Sequence, residues 1–198
     1  MKLVVAAAVA LPLVFAVGAV VPGGAAMAAG PTANQLASKA LASLKTAKTY
    51  HLWGSNGSGK NALTLNVTRG TNGCKGTESS DGSAVSFVQI GGTTWLGEGG
   101  MWFKESTSQA SEALGYCNSK TVASLVPVFS GLSLGPVTKV SGERVQELKG
   151  TGQIIYVTTG TKPEEARYQL PGPDPEQLNF SGINASVRVS PPSGTILG

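Results

Sequence analysis

The stretch from Ala84 to Ser106, AVSFVQIGGTTWLGEGGMWFKES, admits few folds. Short apolar and aromatic runs of strand character are divided by Gly91-Gly92 and Gly99-Gly100. Residues without a Cβ reach the positive φ that a two-residue hairpin connection needs. With Gly91-Gly92 as the connection, Ile90 falls opposite Thr93, Val88 opposite Trp95, and Phe87 opposite Leu96. The first two pairs then share one face of a sheet, and the third lies on the other. The second glycine pair turns the chain into Met101-Trp102-Phe103-Lys104.

The same pattern extends outward in both directions. Tyr50–Trp53 begins a strand that Asn56-Gly57-Ser58-Gly59 turns. Ala62–Arg69 alternates Leu63, Leu65 and Val67 against Thr64, Asn66 and Thr68, so one face is buried and one is wet. Asn72-Gly73 and Asp81-Gly82 are further hairpin signals, and the result is an antiparallel meander. Downstream, strands are expected over Thr138–Val140, Val145–Leu148, Ile154–Thr158, Glu165–Leu170, Leu178–Phe180 and Val187–Val189. Pro171-Gly172-Pro173 is a rigid turn, and Pro191-Pro192 ends the last strand.

Helical spacing occurs in two places. Over Thr32–Thr49, Leu36, Ala40, Leu41, Leu44 and Ala47 form a stripe, while Lys39, Lys45 and Lys48 sit off it. Thr32 with Gln35 three residues on is a capping box. Ser108–Leu114 is expected to form a helical turn. Thr121–Phe129 then puts Val122, Leu125, Val126 and Phe129 on one face, with Pro127 ending or kinking it.

Met1-Lys2, the apolar run Leu3–Val21 and the small residues up to Ala26-Met27-Ala28 read as a secretory signal peptide over residues 1–28. Pro12 and the many alanines favour cleavage over an uncleaved membrane span. That leaves 29–198 as a single domain. No cysteine lies near the cleavage site to take a lipid, so the expected product is secreted, unlipidated and without a stable membrane anchor. Cys74 and Cys117 are an even pair in an exported chain, and a disulfide between them follows.

Only 13% of residues are charged, and the bases that give the net charge of +4 are scattered among acids. Without a basic stripe, nucleic acid is excluded as a partner. His51 is the one histidine and sits at a helix-to-strand junction, where a structural or surface role is expected. No nucleophile setting such as G-x-S-x-G is present, and Glu164-Glu165 point to opposite faces of a strand. The reading is therefore non-enzymatic, with no metal ligands and no cofactor.

Ala40–Trp53 (ALASLKTAKTYHLW), VQIGGTTWL followed by MWFK, Val122–Leu132, and the strand set from TKVSGERV to YVTTG together resemble the LppX/LprG-like exported proteins of actinobacteria. These are related in fold to the LolA lipoprotein carriers. The resemblance implies an α+β fold: a strongly curved antiparallel β half-barrel of about 10–12 strands, with a long N-terminal helix and a helical plug on the concave face. It also implies an apolar cavity that holds lipid. Leu63, Leu65, Val67, Val88, Trp95, Leu125, Phe129, Ile155 and Val157 are the residues expected to line it. The expected partner is a lipid or another lipophilic ligand. The alternative is a cell-envelope protein, if the same fold has filled its cavity with side chains. Two features depart from the family pattern, the missing acylated cysteine and the added cysteine pair.

Overall fold

In the computed structural model, residues 30–59, 62–105, 113–127 and 130–197 are described. The expected signal peptide, most of Ser108–Leu114, and Phe129 lie outside them.

Helix α1 runs Ala33–Thr46 and starts where the capping box places it. The Thr32 backbone N–H donates to Gln35 Oε1 at 2.9 Å, and the Gln35 N–H donates to Thr32 Oγ1 at 3.3 Å. Its buried face is Ala33, Ala37, Ala40 and Leu44, so the stripe is rotated from the one expected. Leu36 and Leu41 flank that face half-buried. Small side chains at the centre let the helix axis approach the sheet, and the leucines pack at its margins.

The strands are β1 (Tyr50–Asn56), β2 (Leu63–Gly70), β3 (Gly73–Ser80), β4 (Ser83–Ile90), β5 (Thr93–Glu98) and β6 (Met101–Glu105). After a gap come β7 (Ser133–Val140), β8 (Glu143–Gly150), β9 (Gln153–Thr158), β10 (Glu165–Leu170), β11 (Glu176–Ser181) and β12 (Thr195–Leu197). They form one curved, unclosed sheet of 12 strands in the order β12-β6-β5-β4-β3-β2-β1-β11-β10-β9-β8-β7. Two antiparallel meanders, β1–β6 and β7–β11, are thus stitched together by the β1–β11 ladder, from His51↔Ser181 to Asn56↔Glu176. The β4–β5 register is the one that Gly91-Gly92 dictates: Ile90↔Thr93, Val88↔Trp95 and Phe87↔Leu96.

Two corrections concern strands. Val187–Val189 is not a strand. Its polar groups go to the β2–β3 turn instead: Thr71 N–H donates to Val187 O, and Asn72 bonds both the N–H and the carbonyl of Val189. The adjoining strands β2 and β3 already have partners on both sides, so no edge is free to take it. The chain re-enters the sheet only beyond Pro191-Pro192, where β12 joins the β6 edge in parallel, and the sheet is therefore mixed rather than wholly antiparallel. The second correction is that β7 begins at Ser133, well before Thr138, with a register shift between Leu134 and Val137. Pro136 is tolerated there because β7 is an edge strand.

One face of the sheet carries α1, a 3-10 helix (Ala113–Cys117) and helix α2 (Ser119–Ser124). The core between them is built from Leu44, Tyr50, Leu52, Val67, Phe87, Val122, Leu148, Ile155 and Tyr168, all fully or almost fully buried. The Cys74–Cys117 disulfide spans 5.7 Å between Cα atoms and bolts the 3-10 helix to β3. Arg69 adds to this anchor by donating to the carbonyls of Cys117 and Lys48.

Gly54 marks the tightest point of the seam between the meanders. A Cβ there would lie 2.0 Å from the backbone oxygen of Gln177 on β11. Since backbone cannot swing aside as a side chain can, Gly54→Ala is expected to cost about 2–3 kcal/mol. Gly160→Ala, which adds a methyl where nothing lies within 4 Å, is expected to be neutral. Urea titrations of the two variants check this, and equal midpoints would show that the seam is loose.

Candidate functional site

The helix-bearing face has an apolar hollow of about 60 Å³ at one end of the seam. Its walls come from β1 (Gly54), β2 (Leu63 and Leu65) and β11 (Leu178), and its other side is Tyr116 and Leu125. Gly54 sits between Leu65 and Leu178 in the ladders, so the missing side chain leaves the recess between two leucines. Tyr116 comes from the 3-10 helix that the disulfide holds, and Tyr50 Oη donates to its carbonyl at 2.6 Å. Burial holds the Tyr50 hydroxyl above its ordinary range, with Arg69 opposing the shift, so it stays a protonated donor. Glu176 is the one carboxyl in the lining, and partial burial raises its pKa above the usual carboxylate value.

Of the residues expected to line a cavity, the structure brings Leu63, Leu65 and Leu125 together. Val67, Ile155 and Val157 sit on the same face but are packed solid, at 0–1% exposure. Val88, which lines a recess of the opposite face, and Trp95 point away from the helices, which corrects their assignment to a cavity beneath them. They alternate with Phe87 and Leu96, which belong to the helix-side core. Phe87 takes the inner side because it faces Gly76, where a Cβ would come within 2.6 Å of its ring. Phe129 lies outside the described residues. Gly54, Tyr116 and Leu178 were not anticipated. Only Leu178 carried a signal, as an apolar residue in an expected strand.

Deeper under α1, β9 and β10 carry polar atoms into the core. Glu165 pairs with Val157 and Tyr168 with Ile155. Gln153, Glu165 and Tyr168 are all within 3% of complete burial, and the Gln153 amide, Glu165 Oε1 and the Tyr168 hydroxyl make no hydrogen bond among the described residues. Burial alone pushes Glu165 up to about 8, so its carboxyl is largely protonated at neutral pH. Among the described residues, no three His, Cys, Asp or Glu side chains converge as a metal site would need, and no helix is long and apolar enough to cross a membrane.

No protein-family model matches the sequence, and no curated protein matches it. Solved structures do match. LprF from Mycobacterium bovis superposes with a TM-score of 0.61 at 12% identity, covering 82% of this chain and 97% of that one. The Mycobacterium tuberculosis lipoprotein LppX gives 0.52 at 16% identity, covering 80% and 98%. At that identity the shared property is the fold, so the chain has the LppX-like half-barrel architecture that its sequence resembles.

Proposed function

We propose that this protein is an exported, non-catalytic carrier that takes the alkyl part of a lipid, or another apolar ligand, into the seam between the helices and the sheet. In this reading the signal peptide is removed and no lipid anchor is added. The observation that carries it is the hollow walled by Leu63, Leu65, Leu125 and Leu178, which opens from the core where the two meanders meet. Apolar walls of this kind stay dry and accept apolar groups, since they offer water no partners. The likeness in fold to a mycobacterial lipoprotein and the disulfide, at home in an oxidising compartment, support an envelope setting.

At about 60 Å³ the hollow holds the end of a chain, not its length. Loading therefore requires Leu125 and Tyr116 to move, and both belong to short segments rather than to the sheet. The small volume also favours a second reading, a filled half-barrel that binds another envelope protein.

Organic extraction and native mass spectrometry of secreted protein, together with titration of a lipophilic fluorescent probe, separate the two. Bound acyl lipid, or probe affinity near micromolar, is the expected result. Leu65→Trp should fill the hollow and weaken probe binding about tenfold, a difference of about 1.4 kcal/mol. Val88→Thr, on the far face, should leave it unchanged. Protein that carries no lipid and takes up no probe would give the case to the interaction reading.

A further inference from the structure

The face of the sheet turned away from the helices has a different chemistry. Alternation along β1–β4 places Trp53, Thr64, Asn66, Thr68, Thr77 and Ser86 there. Across it runs the segment after Asn184, pinned at one end by Asn72 to Val189 and at the other by the β12–β6 pairing. Between this strap and the sheet lies a slot of about 710 Å³, lined by Asn66, Thr68, Thr77, Ser86, Trp102 and Pro192 among others. It adjoins a second recess of about 520 Å³ that shares Asn66 and Thr77 and adds Trp53, Gln177 and Asn179.

Two aromatic planes are fixed along this path. Trp102 lies against Gly97, where a Cβ would come within 2.9 Å of the indole. The glycine thus lets one face of the ring rest on the backbone and leaves the other to the slot. Trp53 stacks on His51 with ring centroids 4.6 Å apart and planes 24° off parallel. His51 Nε2 is in turn 2.9 Å from Asn66 Oδ1, which holds the stack in place. Between the indoles lie hydroxyls and amides, groups that both donate and accept. Among the described residues that line the two recesses Lys75 is the one charged side chain, with Arg167 engaged on Asn179 beside the second, and Glu78, Glu98 and Glu105 alternate onto the other face.

We propose that this slot binds a neutral oligosaccharide chain. A sugar ring offers C–H faces that pack on an indole and hydroxyls that pair with amides and hydroxyls, and the slot presents both in succession. One lysine is too little charge to hold a phosphate backbone, and the hydroxyl lining is wrong for an acyl chain. The volume lies within the ordinary range for small-molecule sites. The slot under the strap shares no lining residue with the leucine-walled hollow, whereas the second recess meets it at Gly54, Ser55 and Leu65.

The test is a titration of the secreted chain with neutral gluco-oligosaccharides of increasing length, followed by tryptophan fluorescence and calorimetry. Saturable binding that tightens with length is expected. Trp102→Ala should weaken it about tenfold, Trp102→Phe should restore most of it, and Thr77→Val should weaken it without touching an aromatic ring. Leu125→Trp, in a wall of the leucine-lined hollow that neither recess shares, should leave sugar binding unchanged, so the two sites are told apart. No saturable response at millimolar sugar, or parent-like affinity in both the Trp102→Ala and Thr77→Val proteins, would overturn the assignment.

Discussion

Breaking the Cys74–Cys117 bridge is expected to cost about 3–4 kcal/mol and lower the melting temperature by about 10 °C. The bond closes a loop across a sequence separation of 43, which releases that much chain entropy to the unfolded state when it is cut. Its surroundings add to the effect. Cys74 is 2% and Cys117 6% exposed, so the sulfurs also fill core volume between β3 and the 3-10 helix. A double Cys→Ala variant measures the loss without placing hydroxyls there. Calorimetry of that variant beside the oxidised parent gives the shift, and thiol titration of denatured, unreduced parent should find no free thiol. Two thiols per chain, or equal melting temperatures, would remove the bridge from the account of stability.

Glu165 should make the fold less stable as pH rises. The residue is 3% exposed beside Val157, Oε1 has no hydrogen-bond partner among the described residues, and burial lifts its pKa from 4.5 to about 8. Between those values the folded chain keeps a proton that the unfolded chain releases. The favourable contribution is therefore complete below pH 4.5 and is lost as pH climbs through 8, by roughly 5 kcal/mol at most. Urea midpoints should fall between about pH 5 and pH 8. Glu165→Gln, which cannot ionise, should flatten that slope and be the more stable protein at the alkaline end. A parent midpoint that stays level over this range would mean that the carboxyl reaches water when it ionises.

What could be read from the sequence was local. The Thr32–Gln35 box set the start of α1, and Gly91-Gly92 fixed a register that places every later pair in the hairpin. Which face looked inward was harder, because Phe87 and Val88 are both apolar and adjacent. The deciding fact is Gly76 across the ladder, which leaves room for one phenyl ring. In α1, hydropathy ranks Leu36 and Leu41 above Ala33 and Ala37, yet close approach to a sheet rewards the smaller residues. Gly135 and Pro136 look like breakers, and only their position on an edge makes them compatible with a strand. Val187–Val189 has strand composition, but its fate depends on which edges are free. The hollow was least legible of all, since Leu63, Leu125 and Leu178 meet only once the two meanders have joined.

The sheet order also dictates an order of assembly. Within β1–β6 and within β7–β11, every ladder joins neighbours in sequence, and such hairpins form in microseconds. The β1–β11 ladder is different in kind, since His51 must find Ser181 across more than half the chain. Long-range pairing of this sort is slow, because the entropy of closing the loop is lost before the contacts form. A chain that emerges amino terminus first thus holds β1 ready, with an unpaired edge, until β11 arrives. During that interval the edge is a template for any other strand, whether from a second copy or from a chaperone. The stitch that completes the half-barrel is therefore also where its biogenesis is most vulnerable.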